Sequence, residues 1–170
     1  MTFPLAPMNR PIRIMTFLLL LLLAVIAGGA GVSAAMSPDA WVGIPVVAFI
    51  VLIVAGVYVF ARPTAFVITA TQLLILFPGR KREIPLADIT GVELLDKDAL
   101  KGTIRLFGAG GLWGGFGLMW SRRIGTFDAY VSTWDGLVRL DRRAARPLII
   151  TPADAQAFAA KIRETITPQA

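Results

Sequence analysis

The chain of 170 residues contains neither cysteine nor histidine. The first absence removes disulfides, thiol catalysis and cysteine-based zinc sites. The second removes histidine metal ligands and histidine-dependent triads. Acidic residues are few: 11 Asp and Glu stand against 17 Lys and Arg, a formal net charge of +6. Such a balance tolerates acidic partners, whether anionic lipid, an acidic protein or nucleic acid. A chain without cysteine suits any compartment.

Two long stretches lack charge altogether. Residues 14–36 and 40–61 carry no Asp, Glu, Lys or Arg, Asp39 lies between them, and residues 17–26 are mostly leucine. Each run is long enough to cross a hydrocarbon layer of ~30 Å as a helix rising ~1.5 Å per residue. They account for most of the excess apolar content of the chain, 56% against the usual ~45–50%. Pro45 falls in the first turn of the second run, where a missing N–H costs little. Ser37-Pro38-Asp39 predicts a tight turn, and Trp41 and Tyr58 stand near the ends of the second span, where an interface favours them.

Arg10 and Arg13 precede the first run, the turn has no basic residue, and Arg62, Arg80, Lys81 and Arg82 follow the second. The positive-inside rule therefore predicts a multi-pass membrane protein with both termini in the cytoplasm. Residues 1–13 form a cytoplasmic tail, 14–36 and 40–61 are transmembrane helices, and 62–170 form a cytoplasmic domain. Arg10, Arg13, the leucine run and Val32-Ser33-Ala34 also fit a cleavable signal peptide. The run is long for a signal core of ~7–15 residues, which favours a retained helix.

The remaining ~110 residues suffice for one small core. Residues 65–70 and 73–77 read as strands broken by Pro78-Gly79, with 80–83 as a charged loop. Strands follow at 89–95, 103–107 and 124–132, the last with Phe127, Ala129 and Val131 on one face and Thr126, Asp128 and Tyr130 on the other. Asp135-Gly136 predicts a hairpin leading into 137–140, and 146–150 supplies a further strand. Thr151 as N-cap, Pro152 as first helical residue and Asp154 as capping-box acid then open an amphipathic helix burying Ala155, Phe158, Ala159, Ile162 and Ile166. A terminal helix with one apolar face is a physical way to close the open end of a curved sheet.

Four segments in this order resemble the bacterial pleckstrin-homology (PH) domain family. They are Ile84-Pro85-Leu86-Ala87-Asp88-Ile89, the glycine-rich residues 106–118, Ile124-Gly125-Thr126-Phe127 leading into Tyr130, and Ile149-Ile150-Thr151-Pro152-Ala153-Asp154 before Phe158. The resemblance spans about residues 64–166. It implies a membrane helical hairpin followed by a mainly β domain, a PH-like partly open barrel of about seven antiparallel strands capped by a C-terminal helix. The family commonly stands behind one or two membrane helices. Many of its relatives bind phosphoinositides through a basic first hairpin, but here that turn is the uncharged Ala70-Thr71-Gln72.

The glycine-rich segment holds six glycines between 108 and 117, interleaved with Leu112, Trp113 and Phe116 and followed by Trp120, Arg122 and Arg123. It lacks the Gly-Lys-Ser/Thr ending of a phosphate loop, and Trp113 occupies the third glycine position of a dinucleotide motif. Two readings stand. The glycines permit close backbone approach with Trp113 and Phe116 tucked into the domain. Alternatively these aromatics dip into the bilayer beside Arg122 and Arg123.

Three basic clusters stand out: Arg80-Lys81-Arg82, Arg122-Arg123, and Arg142-Arg143 with Arg146. They suit anionic lipid at ~1 kcal/mol per nearby cation. No basic helix or aromatic platform points to nucleic acid. Of the 11 acids, Asp96 and Asp98 sit in a charged turn, Asp154 has a capping role, and no serine stands in a nucleophile elbow. The expectation is a non-enzyme with no catalytic, metal or cofactor residues. It would be an integral membrane binding module that holds a protein partner at the cytoplasmic face. The alternative is a sensor of anionic lipid headgroups using Arg80, Lys81, Arg82, Trp113, Phe116, Trp120, Arg122 and Arg123. Self-assembly is a third possibility, for which Gly28, Gly29 and Gly31 offer close helix packing.

Overall fold

The computed structural model describes residues 1–36, 43–110 and 113–166. The turn expected at Ser37-Pro38-Asp39, and Trp41 after it, lie outside these residues. Helix α1 runs from Arg10 to Met36 and α2 from Gly43 to Ala61. Both are long and apolar enough to cross a membrane. Neither is a core helix of a soluble protein: α2 buries no residue, and α1 buries only Ile12, Thr16 and Ala34. The first helix begins at Arg10, before the uncharged run, because Asn9 caps it, its Oδ1 accepting a hydrogen bond from the N–H of Ile12 at 3.2 Å.

Residues 2–4 correct the expectation of a free N-terminal tail. Thr2–Pro4 form strand β1, which pairs antiparallel with β2 (Ala65–Ile68) on the far side of both helices in sequence. Phe3 points into the core while its neighbours stay exposed. The α-amino group of Met1 donates to Ile68 O at 2.7 Å, and Leu5 N donates to Thr64 O at 3.1 Å. A three-residue strand is too short to announce itself by alternation, so tertiary pairing decides it.

Strand β3 (Gln72–Phe77) and β4 (Arg80–Pro85) complete an antiparallel sheet of order β1-β2-β3-β4. The charged segment 80–83 is thus a strand and not a loop. Pro78-Gly79 makes a two-residue turn, with Gly79 at φ +80°, and brings Arg80 opposite Phe77. As the outermost strand, β4 can carry charge and Pro85 without losing a ladder bond.

After a 3₁₀ turn at Leu86–Asp88 come β5 (Ile89–Leu95), β6 (Ile104–Gly110), β7 (Gly115–Ser121), β8 (Gly125–Val131), β9 (Leu137–Arg142) and β10 (Ala145–Ile150). They form a second sheet of order β5-β9-β10-β8-β7-β6. The count therefore exceeds seven, and not every pair is antiparallel: β10 lies parallel to β8. Asp135-Gly136 is correspondingly not a hairpin turn, since β10 stands between β8 and β9. The cause is the apolar run Leu148-Ile149-Ile150, fully buried on both faces. Leu148 and Ile150 enter the main core, and Ile149 enters a smaller one on the opposite side. Such a strand belongs in the middle of a sheet. Among the described residues the two sheets pack together without closing into a barrel.

Helix α3 (Ala155–Ile166) closes the main core with Phe158, Ala159 and Ile162, and Phe158 meets Phe3 and Phe66 edge-on at 5.2 and 6.1 Å. Its cap is Asp154, whose Oδ1 accepts from Ala157 N at 2.9 Å. Thr151 does not cap. It is buried, and its Oγ1 accepts from Ser132 N at 2.9 Å and lies 3.1 Å from Ser132 Oγ. Thr151→Val is expected to lower stability by about 1–3 kcal/mol by orphaning a buried N–H. A thermal melt of the detergent-solubilised chain checks it.

The glycine-rich segment is the β6–β7 hairpin. Gly108 and Gly117 face each other across it at φ +112° and +119°. A Cβ on either would lie 2.9 Å from the other's Cα, so only glycine allows these strands to approach.

Candidate functional site

Two surfaces adjoin at Tyr130, and one of them faces α2. One is a basic basin of about 620 Å³ lined by Arg82, Asp128, Arg142, Arg143, Ala144, Ala145 and Arg146. Edge strand β4 contributes Arg82, the polar face of β8 contributes Asp128, and the tight β9–β10 turn supplies the rest. Asp128 Oδ2 accepts from Arg82 Nη2 at 3.2 Å and from Arg142 Nη2 at 2.7 Å. Arg142 also donates from Nε to Arg146 O at 2.7 Å, and its side chain is only 6% exposed. Arg82 Nη1 donates to the Tyr130 hydroxyl at 3.1 Å. The Arg82 pKa lies above its ordinary value. Burial works against the charge, but the hydrogen bond and field of Tyr130, and then those of Asp128, outweigh it. Arg82 therefore stays charged at any working pH.

Four guanidinium groups surround one carboxylate, leaving three positive charges in excess. Among the described residues no carboxylate pairs with Arg143 or Arg146. Chemically, the basin can take an anionic group through charge-assisted hydrogen bonds. Among the described residues no three His, Cys, Asp or Glu side chains gather as a metal site would require.

The second surface is an apolar cleft of about 400 Å³ between α2 and the second sheet, lined chiefly by Val57, Phe60, Phe107, Phe116 and Tyr130. Tyr130 adjoins both surfaces, so its bond with Arg82 is the wall between them.

The sequence-predicted residues scatter over these features. Arg82 enters the basin, whereas Lys81 pairs with Glu83 at 2.8 Å. Arg80 donates to Phe60 O at the end of α2 and covers the Phe77 ring at 4.3 Å, which locks the helix to the sheet. Phe116 is 1% exposed and forms part of the domain interior. Trp113 packs edge-on against Tyr58 of α2 at 5.0 Å, and its N–H donates to Thr16 Oγ1 of α1 at 3.0 Å. Of the two aromatics proposed to dip into lipid, one is buried and the other holds the helices. Trp120 is partly exposed on β7, and Arg122 and Arg123 are exposed in the turn that follows, away from the basin lining. Sequence reasoning missed Asp128 as the hub, although the alternation of β8 had already placed it on the polar face with Tyr130.

A β domain of two packed sheets closed by a C-terminal helix, behind two apolar helices, has a PH-like architecture and fits a membrane-associated binding module. The family model for the bacterial PH domain matches residues 64–166, and the chain belongs to that family. No curated protein and no solved structure matches the chain.

Proposed function

We propose that this protein is a non-catalytic binding module, anchored by two transmembrane helices, that holds an acidic segment of a protein partner at the cytoplasmic face of a bacterial inner membrane. The observation that carries this reading is the uncompensated positive charge of the basin. Edge strand β4 flanks it with unpaired backbone groups, a surface on which an extended segment can lie. The same excess of positive charge also supports a second reading, in which anionic lipid headgroups occupy the basin.

Arg143→Glu with Arg146→Glu tests both, because neither side chain holds the fold through a carboxylate. Full-length protein in zwitterionic nanodiscs is titrated with a fluorescent polyglutamate peptide. The double reversal is expected to weaken binding about tenfold, equivalent to ~1.4 kcal/mol. Equal binding by parent and variant overturns the basin as the site. Loss of peptide binding to the parent in phosphatidylglycerol nanodiscs would favour the headgroup reading.

A further inference from the structure

Trp113, two residues before β7, is fixed at the level of the helices and not above them. Thr16, which accepts the Trp113 N–H, lies inside the uncharged run that starts after Arg13. Tyr58, which packs on the Trp113 ring, lies before the end of α2 at Ala61. Trp113 itself adopts φ +59°, a left-handed conformation that a bulky side chain keeps only where surrounding contacts impose it. Two contacts from two helices thus place Trp113 within the span of the apolar segments.

The flank of the hairpin lies at the same level. Phe107 lines the apolar cleft opposite Val57 and Phe60, the last turns of α2. Yet Phe107 is 79% exposed and Leu106 is 55% exposed. A bulge between Arg105 and Phe107 turns both outward on β6, the outermost strand of its sheet. Leu106 and Phe107 therefore expose two large apolar side chains on β6, and Phe107 does so beside the exposed apolar surface of α2. Arg62 over the Tyr58 ring at 5.4 Å and Arg80 bound to Phe60 O place two cations at the end of α2, where lipid phosphates would cap the acyl chains.

We propose that the β6–β7 hairpin is a third membrane-contacting element, with Leu106 and Phe107 against the acyl chains of the lipid beside α2. The inference rests on the membrane-spanning reading of α1 and α2. It gives the domain a fixed posture on the bilayer instead of free swivelling about a linker.

Because the chain has no cysteine, single spin labels can be placed without background. Phe107→Cys, Leu106→Cys, Leu20→Cys in α1 and Glu164→Cys in α3 are labelled in the full chain, which is reconstituted into phosphatidylethanolamine–phosphatidylglycerol vesicles. Collision with oxygen is compared with collision with a water-soluble nickel chelate. Labels at 106, 107 and 20 should favour oxygen, and the label at 164 should favour the chelate. A chelate preference at 106 and 107 with an oxygen preference at 20 overturns the hairpin contact alone. A chelate preference at 20 as well overturns the membrane-spanning reading and the inference with it. Shielding of 106 and 107 from both reagents overturns lipid as the occupant and points to a second copy of the chain.

Discussion

Asp128→Ala is expected to lower the stability of the domain by about 3 kcal/mol, the lower end of the range for breaking a buried ion pair. The carboxylate accepts from two guanidinium groups through one oxygen, at 3.2 and 2.7 Å. One of its partners, Arg142, is only 6% exposed and cannot turn to water without leaving the sheet. Removal of Asp128 leaves that charge buried with Arg146 O as its remaining acceptor, while Arg82, Arg143 and Arg146 repel it. Asp128 itself is 21% exposed, so solvent softens the loss. The double variant Asp128→Ala, Arg142→Met removes the orphaned charge and should regain most of the stability. Thermal melts of parent, single and double variants in one detergent check the pattern. A single variant that melts with the parent would show that water reaches Arg142 and that the basin is not held together by this pair.

Phe3→Ala should cost about as much as any core truncation, roughly 3 kcal/mol or more. Phe3 is buried, packs edge-on against Phe158 at 5.2 Å, and joins the cluster that holds both sheets to α3. The loss spreads beyond one ring. With Phe3 gone, β1 retains little to hold it against β2. The bonds from Ala6 N to Thr151 O and from Ala153 N to Pro4 O, both 2.9 Å, depend on that strand staying in place. Limited proteolysis of the solubilised chain reads this directly: the variant should be cut near its N-terminus under conditions that leave the parent intact. An uncut variant with an unchanged melting temperature would return residues 1–13 to the status of a tail.

Much of the architecture was legible because single-residue chemistry fixed it. Two uncharged runs required helices, and alternation at 125–131 sorted Phe127 from Asp128 before any neighbour was known. The helix at 155–166 followed from its apolar spacing. What escaped depended on partners distant in sequence. Strand β1 exists only because β2 offers an edge, and β4 is a strand only because Pro78-Gly79 folds it back on β3. The parallel placement of β10 was available in principle, since three fully buried residues in succession need cover on both faces. The Asp135-Gly136 turn signal drew attention to the wrong neighbour. The site was half legible: two of the three basic clusters point to it, but their union through Asp128 is a matter of sheet order. The third, Arg122-Arg123, lies in the β7–β8 turn, outside that lining.

The pairing of β1 with β2 has a bearing on how the molecule is made. The segment that completes the domain leaves the ribosome before both apolar helices, while its partner strand leaves after them. The N-terminus must therefore wait, unpaired, for about sixty residues of synthesis, and it must wait on the side where the rest will emerge. On the proposed membrane-spanning arrangement, a chain that inserted only one of its two helices would leave β1 across the bilayer from β2 and Phe3 out of its core. Removal of the first helix by a signal peptidase would discard β1 altogether. On that arrangement, completion of the fold is a check on insertion, because only an even number of crossings between residues 5 and 65 lets β1 reach β2.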